Sequence, residues 1–327
     1  MKAIIQNMKL DQQAIVAVLF GAIFVVFALV LPGFLTFGNL LALVRSVSVL
    51  GILGLGMAIV VIGRGIDLSM IASLAIPTGV VMTLVIAGYP PGVGLFVGLA
   101  FAVAIGVANG ILVAYAEIPP LFTTLAVGIG IAGIGQSGLF EYDIIPWPPE
   151  LNVIAWIGRG SIVGIPYSVL AFVVAAFLVH VFLSRTRLGL FIYAIGDNLA
   201  AARNAGIPVR PIIILKYVMA AVIAMFAGLV LSASSSSMDT RIFNLGWIYD
   251  VILVVVLGGI GLSGGRGGVA NVIVGTLLIG TIVNGMTILN VSFEAQSLIK
   301  GLVLLAAILL DSILNPRNEE TAKQGDI

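Results

Sequence analysis

The chain has 327 residues, of which 61% are apolar and only 9% charged, with a net charge of +1, one histidine and no cysteine. An ordinary soluble domain carries about 25% charged residues, so a soluble fold is excluded, and the near-zero charge balance points to no nucleic acid partner. The absence of cysteine removes disulfides, thiolate metal sites and cysteine nucleophiles together, and a single histidine excludes a histidine-built metal site.

The opening MKAIIQNMKLDQQ places Lys2 and Lys9 before the first apolar run, AIVAVLFGAIFVVFALVLP. That run is longer than a signal-peptide core and no small-x-small cleavage site follows it, so a retained first span is expected. Windows long enough to cross about 30 Å of hydrocarbon predict ten spans, near 14–32, 40–62, 68–87, 92–115, 119–138, 166–183, 211–233, 246–262, 268–288 and 297–314. Backbone polar groups in a bilayer are satisfied only in helices or closed barrels, and these long unbroken runs lack the short alternating pattern of barrel strands. The expected fold is an all-α polytopic membrane protein, a single transmembrane domain over residues 1–327. Internal glycines are compatible with such helices because small residues let backbones approach closely in lipid. His180, inside SVLAFVVAAFLVHVFL, is read as a helix-packing or interfacial residue.

Charge sets the orientation. With ten spans and both termini on one side, that side receives Lys2, Lys9, Arg64, Arg185, Arg187, Arg203, Arg210, Lys216, Arg266, Arg317 and Lys323, and the other receives Arg45, Arg159, Arg241 and Lys300. The asymmetry makes the first side cytoplasmic, with both termini there. The outer segment 139–165 carries Glu141, Asp143 and Glu150 against Arg159 alone, and is rich in Pro and Trp, as suits a cap at the outer interface.

The longest cytoplasmic loop, 184–210, contains RTRLGLFIYAIGDNLAAARNAGIPV. Asp197 or Asn198 suits the N-cap of a short helix over 198–206, Gly206 its stop, and Pro208 lies just beyond. Leu199, Ala202 and Arg203 share one face, and Ala200, Ala201 and Ala205 keep the rest narrow. Such a helix is either a solvated connector or a thin element shaped to enter a groove on another protein. In the second loop, Asp67 follows Gly63 and Gly65 where an apolar run breaks, and either caps the third helix through Ser69 and the first-turn amides or lies beside a conduit. Asn109 and Asn284 each precede Gly in VANGILVAYAEIPPL and IVNGMTILNVSFEAQ, which resemble a faint internal repeat. Their amides either bond across helices or face a substrate.

Four stretches in order, GRGIDLSMI at 63–71, NGILVAYAEIPPLFTTL at 109–125, AIGDNLAAARNAGI at 194–207 and GGIGLSGGRGG at 258–268, resemble the permease subunits of bacterial ABC importers of the ribose, xylose and autoinducer-2 type, over about 40 to 314. Met70 and Ile71 stand where that family has Val-Gly, Ala200 stands where it has Glu, and GIGIAGIGQSG lacks its Arg-Gly. The resemblance implies a subunit of the bacterial inner membrane working with a second permease, homodimeric or heterodimeric, among membrane lipids. It also implies a cytoplasmic ATP-binding subunit that carries ATP and Mg, and a periplasmic sugar-binding protein. It implies that Asp197, Asn198, Ala201, Ala202, Arg203 and Gly206 couple to the ATPase, and that Asp67, Ser69, Asn109, Phe122, Thr124 and Asn284 are candidates for the translocation pathway. No cofactor or metal is expected on this chain.

A non-ATPase role agrees with the residues: none of the five lysines completes a GxxxxGK[ST] phosphate loop. GGIGLSGGRGG lacks the lysine and suits a tight turn or close helix packing instead. The expected function is the membrane-spanning subunit of an ATP-driven importer of a monosaccharide or related polyol. A branched-chain amino acid or nucleoside importer is the near alternative. An ion-coupled secondary transporter calls for ionisable groups in mid-span, whereas Asp67, Asp250, Lys300 and Asp311 fall near predicted ends.

Overall fold

A computed structural model describes residues 12–140 and 142–314. Lys2, Lys9, Glu141, Arg317 and Lys323, which entered the charge reading, lie outside the described residues. A helix stands at each of the ten hydropathy windows. These are α1 (Gln12–Val30), α2 (Phe37–Ile62), α3 (Met70–Ile86), α4 (Pro91–Ala114) and α5 (Pro120–Ile134, continued by a π turn over Gly135–Leu139). After the outer segment come α7 (Tyr167–Arg185), α10 (Val209–Ser235), α11 (Trp247–Leu257), α12 (Val269–Ile288) and α13 (Phe293–Leu314). Three shorter helices lie between them: α6 (Asn152–Arg159), α8 (Arg187–Asp197) and α9 (Leu199–Asn204). The fold is an all-α polytopic membrane protein.

Local chemistry sets the helix starts. Pro91 and Pro120 open α4 and α5 at the first helical position, where a missing N–H costs nothing. The Thr36 hydroxyl accepts from the Asn39 amide at the start of α2. Seven helices of the described residues are long and apolar enough to cross a membrane, while Met70–Ile86 and Trp247–Leu257 are shorter. The window 246–262 therefore overestimates its helix: α11 stops at Leu257, and Gly258 and a left-handed Gly259 (φ +91°) divert the chain into the glycine loop. Its eleven residues rise about 16 Å, roughly half a hydrocarbon core.

The centre of the bundle is made by α2, α3 and α10. From Val47 to Ile62 only Leu50 keeps appreciable surface, and α3 is buried from Met70 through Met82. Around them, α4 packs on α10 and α3, α7 on α2, α12 on α2 and α1, and α11 on α12, α2 and α13. The outer helices turn large apolar side chains outward, among them Leu29 (81% exposed), Phe96 and Phe177. Such an apolar exterior suits lipid and not water.

Close approach of α4 to α3 and α10 follows from a four-residue repeat of small residues, Gly94, Gly98, Ala102, Gly106 and Gly110, all buried, the first two against Val81 of α3 and the last two against α10. A Cβ at Gly106 would run into the Val218 backbone and come within 2.8 Å of the Tyr217 carbonyl, and one at Gly110 would meet the Ile214 Cα at 2.5 Å. At one end of the bundle, Ile144–Pro146 (β1) pairs antiparallel with Ser237–Asp239 (β4), and Ser161–Ile162 (β2) with Ile165–Pro166 (β3). At the other end gather the break 63–69, the segment 186–208 and the glycine loop 258–268.

Candidate functional site

The break between α2 and α3 begins where Gly63 and Gly65 end the helix. Their amides and that of Arg64 fold back onto the carbonyls of Ile59, Val60 and Val61 at 2.9–3.3 Å. Arg64 adopts φ +60°, a conformation unfavourable for a side chain with a Cβ. The turn delivers Asp67 into the protein interior, where it and Ser69 are fully buried. Asp67 Oδ1 accepts from the Ser69 amide (2.9 Å) and the Ser69 hydroxyl (2.5 Å). Asp67 thus binds Ser69, the residue that precedes Met70 at the start of α3, and the expected bonds to the first-turn amides are not made.

Two further helices close on this turn. Asn109 of α4 donates through Nδ2 to the Ser69 hydroxyl at 2.7 Å. The Thr124 hydroxyl of α5 accepts from the Leu68 amide (2.9 Å) and donates to the Pro120 carbonyl (2.9 Å). From α10, Lys216, only 2% exposed, donates through Nζ to the Gly63 carbonyl at 2.6 Å, beside the fully buried Tyr217. Four of the six sequence candidates for the pathway, Asp67, Ser69, Asn109 and Thr124, thus meet in one buried polar node that ties α2, α3, α4, α5 and α10 together. All four are fully buried within the chain. A buried charge is tolerated only when hydrogen-bonded or paired; the node supplies partners to Oδ1 of Asp67 and to the Lys216 Nζ, while Oδ2 of Asp67 and Oδ1 of Asn109 are buried without one among the described residues.

Phe122 and Asn284 lie elsewhere. Phe122 is 62% exposed on the outer face of α5, two residues from buried Thr124. Asn284 exchanges amide hydrogen bonds with Asn39 at 2.9 and 3.0 Å, tying α12 to the start of α2. Asn39 and Gly63 are separated by most of α2, about 36 Å at about 1.5 Å per residue. Asn109 and Asn284 therefore sit near the ends of helices that run in opposite directions, each bonding across helices, which is the placement an inverted repeat gives.

Lys216, counted on the cytoplasmic side by the charge reading, falls inside the expected span 211–233. It stands two turns inside α10 and is buried. Lys300 likewise lies within α13, paired with Asp250 of α11 at 2.8 Å, both largely buried. Setting these two aside leaves ten basic residues against three (eleven less Lys216, four less Lys300), and the asymmetry survives. The signal for Lys216 was present in VRPIIILKYVMAAV, a lysine flanked on both sides by apolar residues of one run.

The segment 186–208 is two helices where the sequence reading expected one. Thr186 opens α8, its hydroxyl accepting from the Gly189 amide at 3.1 Å, and Ile192, Ile195 and Gly196 face inward. Asn198, not Asp197, caps α9: its Oδ1 accepts from the Ala201 amide at 2.9 Å, while Asp197 is the exposed last residue of α8. At the far end Gly206 takes φ +78°, and the amides of Gly206 and Ile207 close onto Arg203 and Ala202 at 3.0 and 3.1 Å. Ala202 is 4% exposed and belongs to the chain's own core. The face open to a partner is Ala201, Arg203, Asn204, Ala205 and Gly206. Ala202 thus seats the helix on the rest of the bundle.

Against this geometry the comparisons with known proteins are specific. Residues 39–308 match the family model described as the branched-chain amino acid transport system permease component. The chain is 33% identical over 293 residues to the ribose import permease protein RbsC of Bacillus subtilis, covering 86% of each. It is 31% identical over 308 residues to RbsC of Escherichia coli K12 (93% of this chain, 94% of that protein), and 34% identical over 303 residues to the L-arabinose ABC transporter permease protein AraH of Azospirillum brasilense (90% and 86%). No solved structure matches. A multi-pass bundle whose polar groups are spent on holding helices together, matched over most of its length, belongs to the permease family of the branched-chain amino acid transport system.

Proposed function

We propose that this chain is the membrane-spanning subunit of an ATP-driven, binding-protein-dependent importer of a monosaccharide or related polyol in the bacterial inner membrane. The observation that carries the reading is similarity to ribose and arabinose permeases over nearly the whole chain. The buried node supports it as well: a permease fed by a binding protein needs no tight substrate site of its own. In this reading the chain is not an enzyme, and ATP and Mg belong to a partner ATPase. That ATPase meets the exposed face of α9, with Asp197 and the Asn198 cap at its entrance and Arg203 on its surface. A sugar-binding protein meets the opposite end of the bundle, and a second permease completes the conduit.

The node at Asp67, Ser69, Asn109 and Thr124 holds the ends of the helices that line the path, and Phe122 lies on a face open to the path or to the second permease. The test is uptake into proteoliposomes holding the permease with its ATPase and binding protein, offered labelled D-ribose, D-xylose, L-arabinose and leucine. ATP-dependent accumulation of one of the sugars is expected, and none by the permease alone. Accumulation of leucine only would move the chain to the amino acid branch, and accumulation on a proton or sodium gradient without the ATPase would overturn the reading.

A further inference from the structure

Three backbone segments cross without a side chain between them at the end of the bundle that carries α9. The first is the end of α8 at Gly196, one residue before Asp197. The second is the last residue of α2, Ile62, which leads directly into the polar break. The third is the glycine loop at Gly264 and Gly265. The Gly265 amide donates to the Ile62 carbonyl at 2.8 Å. A Cβ on Gly196 would land on the Ile62 carbonyl oxygen and within 2.5 Å of the Gly265 nitrogen. A Cβ on Gly264 would stand 3.1 Å from both the Arg64 Cβ and the Gly196 carbonyl, and one on Gly265 would stand 2.8 Å from the Asp197 Cα. Gly264 and Gly265 also take φ +79° and +74°, which other residues rarely adopt. Nearby, Tyr193 of α8 donates its hydroxyl to the Gly267 carbonyl at 2.7 Å, fastening the loop to α8 a second time.

We propose that this crossing is a rigid joint that carries displacement of α9 to the buried node, with Gly196, Gly264 and Gly265 as positioning residues of the transport cycle. The physical reason is the lack of slack. Side chains can change rotamer to absorb a displacement, whereas backbone held against backbone by a hydrogen bond cannot. Motion imposed on α9 reaches Gly196 through the single residue pair Asp197–Asn198. It passes to the Ile62 carbonyl, and from there to Gly63, whose carbonyl holds Lys216, and to Asp67 five residues on. The same crossing explains why four of the glycines in GGIGLSGGRGG are in left-handed conformations with no phosphate to bind. The loop is shaped to thread between two other backbones. The joint rests on the reading of α9 as the ATPase contact.

Two measurements test it, both in proteoliposomes with the ATPase and binding protein and with the sugar the parent transports in the panel above. Gly196→Ala should keep the ATPase in copurification and keep basal ATP hydrolysis within about twofold. It should lose sugar-stimulated hydrolysis and uptake by tenfold or more, because the added methyl pushes Ile62 away from the joint. Uptake equal to the parent, or loss of the ATPase from the complex, would overturn the joint, the second result making Gly196 part of the docking surface instead. The second measurement leaves the backbone crossing intact and does not depend on that variant folding. Tyr193→Phe removes only the hydroxyl that fastens the loop to α8 through the Gly267 carbonyl. It should keep the ATPase in copurification and basal hydrolysis within about twofold, and lower sugar-stimulated hydrolysis and uptake by threefold or more. Stimulated hydrolysis and uptake equal to the parent would sink the proposal. Failure of the wider reading is distinct, since then the parent itself transports no sugar.

Discussion

Replacing Ala201 and Ala202 with tryptophan, one at a time, separates docking from folding in adjacent residues. Ala202 is 4% exposed in the core that includes Ile195, Val209 and Ile212. The helix that carries it has six residues, too few to be stable alone. It is held by the Asn198 cap, which contributes about 1 kcal/mol, and by the buried Ala202 methyl, which adds about 0.8 kcal/mol. Overpacking by a large side chain costs about 1–3 kcal/mol, comparable to or greater than those two contributions together. Ala202→Trp should therefore lift α9 off the permease and lower its thermal stability. Ala201 is exposed, so Ala201→Trp should leave the permease within about 0.5 kcal/mol of the parent. If α9 sits in a groove of the ATPase, the same 1–3 kcal/mol appears there instead, as a loss of roughly 5- to 150-fold in affinity. The assay is titration of labelled ATPase onto permease in nanodiscs, with fluorescence-monitored melting of the permease alone. Ala201→Trp that binds the ATPase as tightly as the parent would make α9 a connector and refute the docking assignment.

Gly106→Ala and Gly21→Ala are the same chemical change with opposite expected signs. At Gly106 the methyl meets the backbone of Val218 and Tyr217, and melting should fall by an amount equivalent to about 1–3 kcal/mol, whereas at Gly21 nothing lies within 4 Å and the better helix propensity should leave stability unchanged or slightly raised. Equal melting of the two would mean that α4 and α10 are not in backbone contact. Orientation is checked by single cysteines at the exposed positions Arg203 and Glu150: an impermeant thiol reagent on spheroplasts should label position 150 and spare 203, and the reverse pattern would invert the topology.

Much of this protein was legible in its sequence because membrane insertion is governed by local quantities. Whether a segment crosses lipid depends on its own length and hydropathy, so the ten windows could be placed without knowing any contact. Caps and stops are equally local: Thr36, Gly63 and Gly206 act on residues three or four away. The exceptions are places where protein replaces lipid around a segment. The helix at Trp247–Leu257 is shorter than its apolar run, because α2, α12 and α13 surround it and it need not match the hydrocarbon thickness. The partner of Lys216 could not be read from the sequence, because nothing nearby along the chain reveals the Gly63 carbonyl, 153 positions away, that receives its ammonium. Asn109 and Asn284 read alike in sequence, and only packing shows one bound to Ser69 and the other to Asn39. The direction in which Ala202 faces was undetermined for the same reason: an alanine fits a partner's groove and its own core equally well. Tertiary structure decided these points because each depends on what lies opposite a side chain, and in a helical bundle the residue opposite is almost always remote along the chain.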